Sequence, residues 1–95
     1  MNTFEILVSG KVQRVGFRVC VKRIALSLSI AGTVKNLPDG RVHIFATGEP
    51  VLLEKFISML YSCPRTVIRD VHIKKVDLQK FSDFSINKSD NQERT

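Results

Sequence analysis

The segment from Gly10 to Arg18, GKVQRVGFR, holds the residues whose types and spacing could do chemistry. It places two glycines and three cations between an alternating apolar stretch, residues 4–9, and an apolar pattern with helical spacing. Consecutive backbone N–H groups in such a turn can converge on one anion, and the positive end of a helix dipole strengthens that attraction. Gly10 and Gly16 allow a close backbone approach, and Arg18 brings a planar set of donors. We therefore expect a phosphate-sized site built mainly from backbone amides.

Other catalytic motifs are missing from the sequence. The glycine spacing matches neither GxxxxGK[ST] nor GxGxxG, so the glycines alone are weak support for a phosphate site. The chain has no HExxH, no nucleophile elbow and no paired-carboxylate motif, and its two histidines, His43 and His72, fall on expected strands. Its two cysteines, Cys20 and Cys63, do not have zinc-ligand spacing. We expect neither a metal site nor a nucleophile activated by histidine.

The elements that must position the loop follow from hydropathy and turn residues. A Pro-Asp-Gly turn at 38–40 between two β-rich runs predicts a hairpin, and the first helix is expected to end near Ala31 and Gly32. The pattern predicts strands at 4–9, 33–37, 41–47 and 67–77, helices at 17–31 and 50–63, and an optional strand at 81–86. This β-α-β-β-α-β order predicts an α+β ferredoxin-like sandwich, an antiparallel sheet with two helices on one face.

Length and charge set the class of protein. The chain has 95 residues and a formal charge of +6, which suits one domain with an anionic partner. We expect that domain at residues 1–86 and a flexible polar tail at 87–95. No segment is long and apolar enough to span a membrane, and the start, MNTFEILVSG, has no basic region before its apolar run. A cytoplasmic monomer without membrane contact is the expectation.

The cysteines are expected to be reduced in that compartment. Cys20 lies two residues after Arg18, and we expect it to be a small buried apolar residue. An oxidation-sensitive thiol near the site and a Cys20–Cys63 disulfide are the alternatives.

Two motifs together resemble the acylphosphatase family. Gly10-Lys-Val-Gln-x-Val-Gly-Phe-Arg18 is followed, after a helix-length gap, by Gly32-Thr-Val-Lys-Asn-Leu-Pro-Asp-Gly40. The resemblance extends from Phe4 to about Ile86. It implies a ferredoxin-like enzyme that hydrolyses acyl phosphates to a carboxylate and inorganic phosphate, with no metal, no cofactor and no covalent phosphoenzyme.

The resemblance also assigns the site. It makes Arg18 and Asn36 the catalytic residues and gives phosphate binding to the loop of Gln13, Arg14, Val15, Gly16, Phe17 and Arg18. The chemistry of the residues agrees, because a carboxylate leaves without a strong general acid and the enzyme needs only to hold the phosphoryl oxygens and aim a water. Asn36 can orient that water without ionising.

One position departs from the family pattern. Arg14 stands where the family usually has glycine, reading VQRV instead of VQGV. If that residue has a positive φ, a side chain there costs about 1 kcal/mol or more. The Arg14 side chain either adds a cation near the phosphate or crowds the site. A phosphate-binding relative with low turnover is therefore one alternative function.

A nucleic-acid-binding ferredoxin-like module is the other alternative, and it is disfavoured. Such modules stack bases on aromatic residues of the sheet. This chain has six phenylalanines, one tyrosine and no tryptophan, and no segment matches the RNA-recognition signature.

Overall fold

The computed structural model describes residues 1–87 of the chain. They form, in order, β1 (Asn2–Lys11), α1 (Phe17–Ser27), β2 (Ala31–Asn36), β3 (Val42–Gly48), α2 (Pro50–Leu60), β4 (Val67–Val76) and β5 (Phe84–Asn87). The β-α-β-β-α-β order with an additional strand is confirmed.

All five strands of the described residues belong to one sheet, in the spatial order β4-β1-β3-β2-β5. The pairs β1–β3, β1–β4 and β2–β3 are antiparallel, as expected. The optional fifth strand adds a parallel pair, because β5 runs alongside β2 with Gly32 opposite Phe84 and Lys35 opposite Asn87. The sheet is therefore mixed, within the α+β sandwich that the sequence predicts.

The core lies between the sheet and the two helices. In β1, Ile6 and Val8 are fully buried, as the alternation predicts, and they belong to one apolar cluster with Phe17 of α1 and Phe56 of α2. Helix α1 contacts α2, β2 and β5, and α2 contacts β3, so both helices cover the same face. Burial of each such side chain contributes about 1.5–3 kcal/mol, which fixes the sheet under the first turn of α1.

Strand β4 is more exposed than its apolar residues suggest. It lies at the edge of the sheet, and Val67 and Ile73 are 57% and 47% exposed. The exposed residues Lys74 and Lys75 lie on this strand, where charge discourages pairing with another sheet edge.

The expected end of the first helix is wrong. Helix α1 ends at Ser27, and Ser29 takes the left-handed conformation (φ 57°) while Ile30 donates its N–H to Ala25 O at 2.9 Å. Gly32 instead lies in β2, where a Cβ atom would come within 1.8 Å of Phe45 O. That glycine is needed for a close strand approach rather than for the helix exit.

The expectation of reduced cysteines is also wrong, because Cys20 and Cys63 form a disulfide. Packing of α1 against α2 brings Cys20, in α1, close to Cys63, in the turn after α2. Their Cα atoms lie 6.0 Å apart, a distance at which the bond can form. The sequence argument relied on compartment and could not see that the two helices place these residues together.

The polar tail was predicted at 87–95. Asn87 is the last residue of β5, and residues 88–95 lie outside the described residues. Within residues 1–87, neither helix is long and apolar enough to cross a membrane.

Candidate active site

A small cavity opens where β1, α1 and the end of β2 meet. Its volume is about 90 Å³, enough for a ligand of a few heavy atoms. Its lining contains five of the seven predicted site residues: Arg14, Gly16, Phe17, Arg18 and Asn36. The two charged residues of this lining are both arginines. The cavity therefore suits a small anion.

The loop between β1 and α1 presents its backbone N–H groups without internal partners. None of the N–H groups from Arg14 to Val19 donates a hydrogen bond to an atom of residues 1–87. Those of Phe17, Arg18 and Val19 belong to the first turn of α1, where intrahelical acceptors do not exist. No acidic side chain lies in that turn. The site thus combines free donors with the positive end of a helix.

Two left-handed residues shape this loop. Arg14 has φ 64° and Gly16, the residue before α1, has φ 80°. Glycine adopts such angles freely, whereas an arginine does so at a cost of about 1–2 kcal/mol. The positive φ at Arg14 explains why glycine suits this position, and Arg14 is one of the residues that line the cavity.

The start of the loop is set by a close contact with β4. The register between β1 and β4 shifts between Ser9 and Gly10. A Cβ atom on Gly10 (φ 130°) would lie 2.1 Å from Val67 O, so only glycine fits. Here Gly10 is a packing requirement that directs β1 into the loop.

Asn36 reaches the cavity because it is the last residue of β2. Its Oδ1 atom is buried and accepts no hydrogen bond within the described part of the chain. A buried acceptor without a partner costs about 1–3 kcal/mol, so its presence at a cavity marks a functional candidate.

Arg18 is held between the helix and the last strand. Its Nη1 donates to the carbonyl oxygen of Asn87 in β5 at 3.4 Å, a long hydrogen bond. The guanidinium retains further donors for a ligand.

Gln13 has a positioning role that the sequence analysis missed. Its Nε2 donates to Leu37 O at 2.8 Å and to Arg41 O at 2.9 Å. These carbonyls lie at the two ends of the Pro-Asp-Gly turn, so Gln13 ties the loop to the hairpin that carries Asn36.

The same turn carries a side-chain ion pair. Arg41 Nη2 lies 2.8 Å from Asp39 Oδ2, and hydrogen bonds from the Arg41 side chain, then its backbone, lower the pKa of Asp39 below its ordinary value. Gly40 completes the turn at φ 96°, which confirms the predicted hairpin.

The structure brings together Arg14, Gly16, Phe17, Arg18 and Asn36, but not the side chains of Gln13 and Val15. Val15 packs against the apolar core instead. The cavity also includes Val12 and Val19, which the sequence analysis did not select. Val12 continues the even-numbered apolar positions of β1, and that parity was the signal available for it.

The comparisons with known proteins decide the family. The acylphosphatase family model matches residues 4–86. The chain belongs to the acylphosphatase family. An acylphosphatase from Archaeoglobus fulgidus is 47% identical over 87 residues, covering 90% of this chain and 98% of the relative. One from Lactobacillus gasseri is 46% identical over 92 residues, with the same coverage of both chains.

A solved structure gives the same result for the fold. The crystal structure of acylphosphatase from Bacillus subtilis superimposes with a TM-score of 0.88 at 36% identity, covering 92% of this chain and 99% of the other. The ferredoxin-like α+β class is therefore confirmed. Like its relatives, this acylphosphatase is an enzyme, a hydrolase acting on acyl phosphates.

Proposed function

We propose that this acylphosphatase binds the phosphoryl group of its substrate in the loop cavity and cleaves the carboxyl–phosphate bond by in-line attack of water. One observation supports this above all. Arg18 and Asn36 line the same cavity as a loop whose backbone N–H groups have no partners among residues 1–87. Donors that the folded chain holds in place before the substrate binds need no reorganisation when charge develops beside them.

The loop and Arg18 hold the phosphoryl oxygens. The N–H groups from Arg14 to Val19 donate to them, and the first turn of α1 adds its dipole. Arg18 offers a planar pair of donors, which matches the geometry of phosphate oxygens. In the transition state these donors stabilise negative charge spread over the same oxygens. Charge stabilisation thus comes from the chain itself, and we propose that no metal or cofactor is needed.

Asn36 orients the attacking water. The Asn36 amide rotates about its last torsion with little restriction, and its Oδ1 has no partner to lose within the described residues. With the phosphoryl group in the cavity, Oδ1 turns towards the cavity and accepts a hydrogen bond from the water. An amide cannot remove a proton, so its contribution is orientation.

The leaving group needs little assistance. A carboxylate is the conjugate base of an acid with a low pKa, so it departs without a strong general acid. The products are a carboxylate and inorganic phosphate, and inorganic phosphate occupies the same cavity as a competitive inhibitor.

Hydrolysis of benzoyl phosphate tests the proposal directly. We expect the variants Arg18→Ala and Asn36→Ala to lose activity by about 10²–10³-fold. Arg23→Ala is the matched control for charge, because Arg23 is an exposed residue of the same helix and does not line the cavity. Undiminished rates in both site variants would reject the assignment.

The cellular setting is also a proposal. We propose a cytoplasmic monomer that acts on small-molecule acyl phosphates and does not bind nucleic acid. In that compartment the Cys20–Cys63 disulfide has to persist against cellular thiols, so cell fractionation combined with thiol labelling is the measurement that tests the proposed location. Sedimentation analysis tests whether the protein is a monomer.

A further inference from the structure

A third arginine lies beside the loop cavity, outside the residues that the sequence patterns select. Arg65 lies between α2 and β4, and its Nη2 atom lies 3.4 Å from the place that a Cβ atom on Gly16 would occupy. Gly16 lines the cavity and Arg65 does not. The Arg65 guanidinium therefore lies outside the cavity lining and next to the loop backbone at Gly16, a position that we call the rim.

The backbone around Arg65 is tied to the loop's two flanking elements. On one side, Cys63 is bonded to Cys20 of α1. On the other, Val67 pairs with Lys11 at the end of β1. Arg65 itself has φ 62°, a conformation that a non-glycine residue holds only where the surrounding structure enforces it. The position of the Arg65 backbone beside the loop thus follows from these two connections.

The cavity and its rim together carry more positive charge than one phosphoryl group requires. Arg18 and the loop amides already supply donors for the phosphoryl oxygens. Within residues 1–87, neither Arg14 nor Arg65 forms a salt bridge. An acyl phosphate bound through its phosphoryl group projects its acyl part out of the small cavity, towards the rim.

We propose that Arg65 binds a second anionic group, carried on the acyl part of the substrate, and so selects acyl phosphates that bear a carboxylate or phosphate there. This inference rests on the proposed function. Arg65 is a specificity residue in it and takes no part in bond cleavage. Because its side chain is exposed, the interaction is modest and sensitive to salt.

The experiment compares benzoyl phosphate with its 3- and 4-carboxy derivatives, which test two positions of the added anion. We expect the wild type to prefer a carboxylated substrate in kcat/KM, and Arg65→Gln to reduce that preference about two- to fivefold. Arg23→Gln, the control for charge on an exposed surface, keeps the preference. At about 1 M salt, where the screening length is about 3 Å, the preference disappears.

Inorganic phosphate separates a rim contact from a phosphoryl contact. We expect its inhibition constant to be the same in Arg65→Gln and wild type. An increase that parallels the loss of kcat/KM would place Arg65 on the phosphoryl group and overturn the inference. An unchanged preference in Arg65→Gln would overturn it as well, while absence of benzoyl phosphate hydrolysis by the wild type would instead refute the proposed function.

Discussion

Replacing Asn36 with alanine is expected to stabilise the protein while it removes activity. The Asn36 Oδ1 atom is buried without a donor in the described residues, and such an acceptor costs about 1–3 kcal/mol. The variant loses no side-chain hydrogen bond seen in residues 1–87, although it loses some packing of a half-buried residue. We expect a net gain of about 1 kcal/mol in the free energy of unfolding.

That gain is large enough to measure. For a domain of about 60–100 residues, 1 kcal/mol raises Tm by about 4–8 °C. In the same variant, Asn36→Ala, we expect benzoyl phosphate turnover to fall by about 10²–10³-fold. Thermal unfolding followed by circular dichroism and steady-state kinetics on the same preparation provide the two measurements.

The control is Asn2→Ala, the same substitution on β1, outside the cavity lining. It is expected to leave both Tm and turnover near the wild-type values. If Asn36→Ala instead lowers Tm by several degrees, the Asn36 amide is structurally satisfied and the reasoning fails. If turnover is retained, Asn36 has no role in orienting water.

Three further predictions follow from particular contacts. Cys63→Ser removes a cross-link between residues 43 apart, and loop entropy gives a destabilisation of up to about 4 kcal/mol. Adding a reductant should also lower the Tm of the wild type, and an unchanged Tm would contradict the bond. Gly10→Ala forces a Cβ against Val67 O, so chemical denaturation should show a loss of more than about 2 kcal/mol, which a tolerated substitution would disprove. Arg14→Gly keeps the positive φ and removes a cation from the cavity; KM for benzoyl phosphate should rise several-fold with kcat within about twofold, whereas a higher kcat would mean that Arg14 crowds the site.

Local sequence patterns were sufficient to predict the strand and the turn that position the site. Alternation in β1 identified Ile6 and Val8, and the Pro-Asp-Gly turn located the hairpin that ends β2 at Asn36. These features depend on neighbours in the chain, so they can be read from sequence. The convergence of Arg18 and Asn36 came from two motifs in the family's order, because residues 18 apart give no sign of contact by spacing.

What the sequence could not predict depends on distant packing. The disulfide follows from how α1 lies against α2, and the Arg65 placement from the pairing of Val67 with Lys11. The parallel position of β5 beside β2 follows from a return of the chain after β4. Gly32 was misread because a helix exit and a close strand approach both favour glycine, and only Phe45 O across the sheet distinguishes them.

The positions of Asn2 and Asn87 have a practical consequence for anyone who attaches a tag or a fusion partner. β5 ends at Asn87, whose carbonyl oxygen accepts a hydrogen bond from the Arg18 guanidinium, so a fusion partner joined directly after Asn87 starts beside a residue of the cavity lining. Asn2 and Lys11 are the two ends of the ten-residue strand β1, so at about 3.3 Å per residue Asn2 lies about 30 Å from the end of the strand that leads into the loop. Purification handles, surface immobilisation and fluorescent labels therefore belong at the amino end of this enzyme.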